Sequence, residues 1–231
     1  MTTLAWEGAY NVRDLSGAHP SIACGAFVRA DHLCYLRPAG WEALQAWGVR
    51  TVVDLRNEDE KGRDRARPAD LVTVAVELDG ASDEAWWAPW RSGWQFGTPL
   101  YYRPHVEAFP DRLASALIAL ADAAPGGVAF HCMAGRDRTG MVAIALLRLL
   151  EVPVEDIVRD YLRSVDGVAA AHAAHDAPDP GVEIAAWLRE QGLDLGQLVA
   201  DFAEWPELTD HLRRGGLRDE HVWALRRRAS V

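Results

Sequence analysis

Apolar and polar positions follow two alternating patterns over the first 165 residues. Short apolar, β-branched runs predict strands at 26–30 (AFVRA), 50–56 (RTVVDLR), 71–78 (LVTVAVEL) and 128–132 (VAFHC). Between them, helical spacing predicts an amphipathic helix at 40–47, ended by Gly48, and another at 105–124 with Leu113, Leu117 and Leu120 on one face. Residues 139–150 (TGMVAIALLRLL) are apolar on every side, which predicts a buried helix, and after Pro153 a further amphipathic helix follows to Ser164. The charged stretch 57–70 reads as a solvated loop. Beyond about residue 165 only helical segments remain, at 168–175, 182–191, 195–204, 206–214 and 218–228. Strands alternating with helices predict an α/β fold, a mostly parallel central sheet flanked by helices, with a helical C-terminal part.

Composition narrows the picture. At roughly 100–200 residues per domain, a chain of 231 residues predicts a single domain over 1–231. A hydrophobic share of 49% with 25% charged residues excludes a disordered chain. The net charge of −10 excludes the broad basic surface of a nucleic-acid binder, so no nucleic acid is expected as partner. Cys24, Cys34 and Cys132 cannot all pair within the chain and match no zinc spacing, which predicts a reducing cytoplasm. The N-terminus shows no signal peptide, and the longest apolar run, 141–147, is too short to span a membrane. His172, His175, His211 and His221 fit no usual metal spacing, so neither metal nor other cofactor is expected.

The chemistry concentrates in 131–140, HCMAGRDRTG, between the strand at 128–132 and the buried helix after it. A loop that runs from a strand end into a helix N-terminus gathers backbone N–H groups around one concavity, and the helix dipole adds positive charge. Such a nest takes a tetrahedral oxyanion. Arg138 can close it with a bidentate contact. Cys132, at its base, would be held as a thiolate by the same field.

The Cys-x5-Arg string resembles the HCxAGKDRTG signature of the bacterial protein tyrosine phosphatase family, tyrosine/lipid phosphatase type. The resemblance extends to Asn11–Gly17 (NVRDLSG), 28–33 and 48–56 (VRADHL and GVRTVVDLR), 155–164 (EDIVRDYLRS) and 216–226. It implies a cysteine-phosphatase fold and phosphomonoester hydrolysis through a phosphocysteine intermediate. By the resemblance, Cys132 is the nucleophile, Arg138 binds phosphate, and Thr139 hydrogen-bonds the thiolate. The N–H groups of Met133, Ala134, Gly135, Arg136, Asp137 and Arg138 form the cradle. His131 buttresses the loop, with Arg13 and Asp54 as further supports, and Asp137 is the general acid. Two departures stand out: Arg136 replaces the family's Lys, and Ser16 replaces a Gly. No Trp-Pro-Asp acid loop is present.

Several readings stay open at this point. The acid is Asp137, or Asp79 or Asp83 on the loop after 71–78. Asp54 and Arg56 either reach ligand at a strand end or simply pair with each other; Arg13 and Asp14 either reach the site or tie the N-terminus down. The tryptophan-rich stretch 86–96 is an aromatic lid or a hydrophobic flap against the C-terminal part. Cys24 and Cys34 are structural, or resolving thiols for oxidised Cys132. The region 165–205 is expected as a helical lid over the site. The leading substrate class is phosphotyrosine on protein. The alternatives are a phosphoinositide and, from another class, a pseudoenzyme that binds phosphotyrosine without cleaving it. A sulfurtransferase or arsenate reductase fits the string less well.

Overall fold

Each predicted strand contributes to one sheet in the computed structural model, which describes residues 4–62, 64–80 and 83–230. The strands are β1 (Arg13–Asp14), β2 (Phe27–Ala30), β3 (Val49–Asp54), β4 (Val72–Ala75) and β5 (Gly127–His131), in the spatial order β1-β2-β5-β3-β4. All neighbours are parallel except β1 and β2. β1, too short to show a period, was not predicted. The run 71–78 pairs only over β4, an edge strand whose side chains are largely exposed, not buried.

Register sets the position of the site. Ala30 and Asp54 both lie opposite His131, so β2, β5 and β3 end level with one another. The residues that follow them leave the sheet at its carboxyl edge, where open α/β sheets bind ligands.

Ten α-helices are described: α1 (Pro38–Ala46), α2 (Glu84–Arg91), α3 (Tyr102–Ala108), α4 (Pro110–Asp122), α5 (Asp137–Leu149), α6 (Val154–Ala174), α7 (Gly181–Glu190), α8 (Leu195–Ala203), α9 (Leu208–Arg214) and α10 (Asp219–Ala229). Side chains alternate across the sheet. Phe27, Val53, Val128 and Phe130 enter a large core built with α3, α4, α5, α8, α9 and α10. Val28, Val52 and Ala129 enter a smaller one with Trp6, Trp41 and Leu44. As its all-apolar pattern requires, α5 is buried nearly throughout.

Two helical predictions need correction, and the tryptophan-rich stretch holds a helix that was not predicted. The helix expected over 105–124 is two, broken where Phe109 leaves the helical region ahead of Pro110. The helix expected at 168–175 is the second half of α6, which runs straight through Gly167. A Cβ there would lie 2.6 Å from the Asn11 Oδ1, so the glycine admits the N-terminal segment rather than ending the helix. The stretch 86–96 is largely helix α2 and a 3₁₀ turn. Its Trp87 is fully buried against Tyr101 and His105, while Trp94 and Phe96 stay exposed.

Candidate active site

Between β5 and α5 the chain turns tightly, and Gly135 adopts φ +69°. A Cβ at Gly135 would lie 2.6 Å from both the Ala30 carbonyl oxygen and the Asp31 nitrogen, so only glycine fits. Three successive carbonyls of the loop are held from outside. The His32 N–H donates to Met133 O (2.8 Å), Asn11 Nδ2 to Ala134 O (2.9 Å) and Arg29 Nη2 to Gly135 O (2.9 Å). With these carbonyls occupied on the outer side, the loop's N–H groups are free to face the inner one. Cys132, 2% exposed, opens the loop.

Behind the loop lies a buried charge network. Asp160 of α6 accepts Arg13 Nε at 2.7 Å and Arg29 Nη1 at 2.6 Å, and Ser164 Oγ accepts from both arginines. Burial alone would raise the Asp160 pKa; Arg13 and Arg29 outweigh it and hold the carboxyl at about 2. Burial, with Arg29 beside it, lowers Arg13 to about 10. Arg13 also donates to Asn11 Oδ1 (2.8 Å), so it ties the N-terminus, α6 and the loop together. Asp14 is occupied locally, by the N–H groups of Ser16 and Gly25 and by Trp47 Nε1.

His131 is fully buried, and its Nδ1 donates to Cys132 O at 3.0 Å. Burial lowers its pKa to about 4, against the opposing pull of Asp54, so the ring is neutral at pH 7. Its Nε2 lies 3.5 Å from Asp54 Oδ2. Asp54 is bound bidentately by Arg56 (2.9 and 2.7 Å) and by Arg67 Nη2 (2.8 Å). Asp54 and Arg56 therefore form a salt-bridged prop under His131. The stretch 57–70, expected as a solvated loop, supplies Asp64 and Arg67 to this prop.

At the mouth, Arg138 donates Nη1 to Glu60 Oε2 (2.5 Å) and Nη2 to Glu60 Oε1 (2.7 Å), and its Nε lies 3.3 Å from Asp79 Oδ2. Glu60 sits in a 3₁₀ turn, Glu58–Glu60, and also accepts the Asn57 N–H at 2.8 Å. Asp137 opens α5 and pairs with Arg136, each of its oxygens 3.3 Å from a guanidinium nitrogen. Arg136 is buried. Its Nη2 would lie 3.1 Å from a Cβ placed on Gly97, a position that Ile184 of α7 also crowds. Thr139 Oγ1 is buried and has no hydrogen-bond partner among the described residues. Asp83 is taken up by Arg112. On the β2 side, Met133 and Ala134 border a cavity of about 270 Å³ with Asp31, Tyr35 and His172.

The structure thus brings Cys132, Arg138, Asp137, Thr139 and Asp79 to one edge of the sheet, with His131, Arg13 and Asp54 as props. Sequence reasoning missed Glu60, Arg29, Asn11 and Asp160 as parts of the site. Glu60 lay in an acidic run with nothing to single it out, and Asp160 looked like one polar position on an amphipathic helix.

The description "tyrosine phosphatase family" attaches to a family model that matches residues 4–228. The chain is 32% identical to a tyrosine-protein phosphatase of Nostoc commune over 61% of this chain and 49% of that protein. It is 31% identical to a putative tyrosine-protein phosphatase of Cupriavidus necator over 70% and 62% of the two chains. To the triple specificity protein phosphatase PtpB of Mycobacterium tuberculosis it is 29% identical over 72% and 70%. The matched segment therefore spans about half of the first of these relatives and about three fifths of the second. Among the described residues no helix is long and apolar enough to cross a membrane. On a family match that runs almost end to end, over the same chain that folds the Cys-x5-Arg loop, this chain belongs to the tyrosine phosphatase family.

Proposed function

We propose that the protein hydrolyses phosphomonoesters, with phosphotyrosine on protein as the leading substrate class, through a phosphocysteine intermediate and without a metal. The observation that carries this reading is the loop itself. Its carbonyls are tied outward at three consecutive residues, Cys132 lies at its start, and Arg138 is fixed at its mouth. In the first step the Cys132 thiolate attacks phosphorus while the N–H groups of 133–138 and Arg138 hold the equatorial oxygens. In the second, water displaces the thiolate, and the Thr139 hydroxyl, without a hydrogen-bond partner among the described residues, stabilises the departing sulfur. His131 shapes the loop from behind. Asp137 and Asp79 are the two carboxyls at hand for proton transfer.

Phosphotyrosine is favoured over a phosphoinositide because Arg136, the one extra cation of the loop, is buried and paired with Asp137. It does not project to meet a second phosphate. Within the region 165–205, α8 contributes Val199 and Phe202 to the main core, whereas Ile184 and Leu188 of α7 are buried outside both cores. We assign the lid role to α7, whose Ile184 lies against Gly97 beside the Arg136 guanidinium, and expect it to shield Cys132 from oxidants. Three cysteines free of disulfides suit a cytoplasmic setting. The test is phosphate release from a phosphotyrosine peptide and from phosphoinositide vesicles, in chelator, with wild type and Cys132→Ser. Release from the peptide that disappears in Cys132→Ser is expected. Release from neither substrate, with tight phosphopeptide binding, would replace the enzyme by a binding module.

A further inference from the structure

We infer that Asp79, on the loop after β4, is the residue that gives the leaving oxygen its proton, and that substrate phosphate loads it by taking Arg138 away from it. This rests on the phosphatase reading above.

Asp79 is 3% exposed, and its two oxygens differ. Oδ2 faces Arg138 Nε at 3.3 Å. Oδ1 is buried without a hydrogen-bond partner among the described residues. A bare buried carboxylate oxygen is costly. A hydroxyl in its place, with no acceptor at rest, is a donor waiting for one. The residue is held firmly: its carbonyl accepts Trp87 Nε1 (3.0 Å) and Arg112 Nη1 (2.6 Å). Asp137 differs on both counts. Each of its oxygens faces Arg136, and no atom of its side chain is left buried and unpartnered.

Arg138 explains the loading. Glu60 takes one hydrogen from each terminal nitrogen, end-on. The remaining edge for a bidentate oxyanion contact includes Nε, the atom that now faces Asp79. A phosphate dianion arriving there removes Asp79's cation and adds two negative charges beside it. The charged groups that act on Asp79 are Arg138 and Arg91, which favour the carboxylate, and Glu60 and Asp137, which oppose it. Burial, the largest influence, already lifts its pKa to about 6 in the resting protein. Substrate binding pushes it further up, so the acid is protonated when it is needed.

The step balances. The S–P bond forms from the Cys132 thiolate as the P–O bond to the leaving group breaks, and the proton of Asp79 passes to that oxygen. In the second step water attacks phosphorus, its proton returns to the Asp79 carboxylate, and the S–P electron pair returns to sulfur.

Two readouts test this on Asp79→Asn and Asp137→Asn. The first is kcat/KM, which reports the first step alone, for p-nitrophenyl phosphate, whose leaving group needs little help, against phenyl phosphate, whose leaving group needs a proton. Asp79→Asn is expected to lose about 100-fold on phenyl phosphate and less than about 10-fold on p-nitrophenyl phosphate. Asp137→Asn should lower both alike. The second is proton uptake on binding tungstate, a tetrahedral dianion, by calorimetry near pH 7 in two buffers of different ionisation enthalpy. Wild type and Asp137→Asn should take up about one proton more than Asp79→Asn. Asp79→Glu, which keeps the acid, should restore part of the leaving-group tolerance. A wild-type leaving-group profile and wild-type proton uptake in a folded Asp79→Asn would overturn the assignment. So would both effects appearing in Asp137→Asn. If wild type cleaves neither ester, the phosphatase reading itself falls; if only Cys132→Ser abolishes cleavage, that reading stands and the variants judge Asp79 alone.

Discussion

Arg138 and Glu60 meet end to end, with Nη1 on Oε2 at 2.5 Å and Nη2 on Oε1 at 2.7 Å. The pair joins the first turn of α5 to the 3₁₀ turn after β3. It aims a flexible side chain before any substrate arrives, so less ordering entropy is lost on binding. Glu60→Gln keeps the shape but removes one charge. A hydrogen bond to a charged group contributes about 1.5–3 kcal/mol, so kcat/KM should fall roughly 10- to 100-fold. Steady-state kinetics with p-nitrophenyl phosphate checks this, and a change under twofold would show that Arg138 aims itself.

Gly135→Ala tests the loop's conformation without touching a reacting group. The new methyl would collide with the backbone of Ala30 and Asp31, and the φ of +69° would itself cost about 1–2 kcal/mol. Phosphate affinity should drop at least tenfold while the far-UV spectrum is retained. Unchanged affinity would mean that the loop relaxes freely.

Asp160→Asn leaves Arg13 and Arg29 buried with half their partner. Breaking a buried pair by removing one charge costs about 3–5 kcal/mol. The same group makes the fold acid-sensitive. Its folded pKa of about 2 lies below the unfolded value, so its stabilisation is complete above about pH 4 and is lost as pH falls toward 2. Urea titrations between about pH 5 and pH 2 should show this slope in wild type and a shallower one in Asp160→Asn.

His131 acts in a higher window. The folded ring takes a proton only below about 4, the unfolded ring below about 6.5. Between those values the unfolded chain binds more protons, so stability falls as pH drops through that range. His105, also lowered to about 4 by burial, adds in the same direction. His131→Asn, which keeps a side-chain donor near the Cys132 carbonyl, should lower the stability difference between about pH 7 and pH 5. An unaltered difference would assign the effect to His105.

Local pattern carried much of this molecule. The β-branched runs at 50–56 and 128–132 form the central parallel strands, and the Cys-x5-Arg string folds as the loop between β5 and α5. What escaped was decided by partners distant along the chain. The helices expected to Ser164 and at 168–175 are one helix, with Gly167 in its middle where Asn11 packs against it. Arg29 sat inside a short apolar strand, yet it is buried because Asp160 lies across from it, 131 positions away. Proline and tryptophan density hid α2, where Trp87 finds a buried aromatic site that outweighs the poor helix propensity of Pro89.

The three outward-tied carbonyls have a consequence for how the site is inherited along the chain. Their donors, Asn11, Arg29 and His32, all come from the first 32 residues, a hundred positions before the signature they hold. An intact HCMAGRDRTG string is thus only half of an anion receptor; its mould is written about a hundred positions earlier. Grafting the string into another strand-helix junction would transfer the nucleophile and the arginine but not the curvature of the peptide planes. Change at positions 11 and 29, whose side chains do the holding, would loosen the receptor while leaving its recognisable motif untouched; at position 32 the donor is the backbone, which any residue but proline supplies.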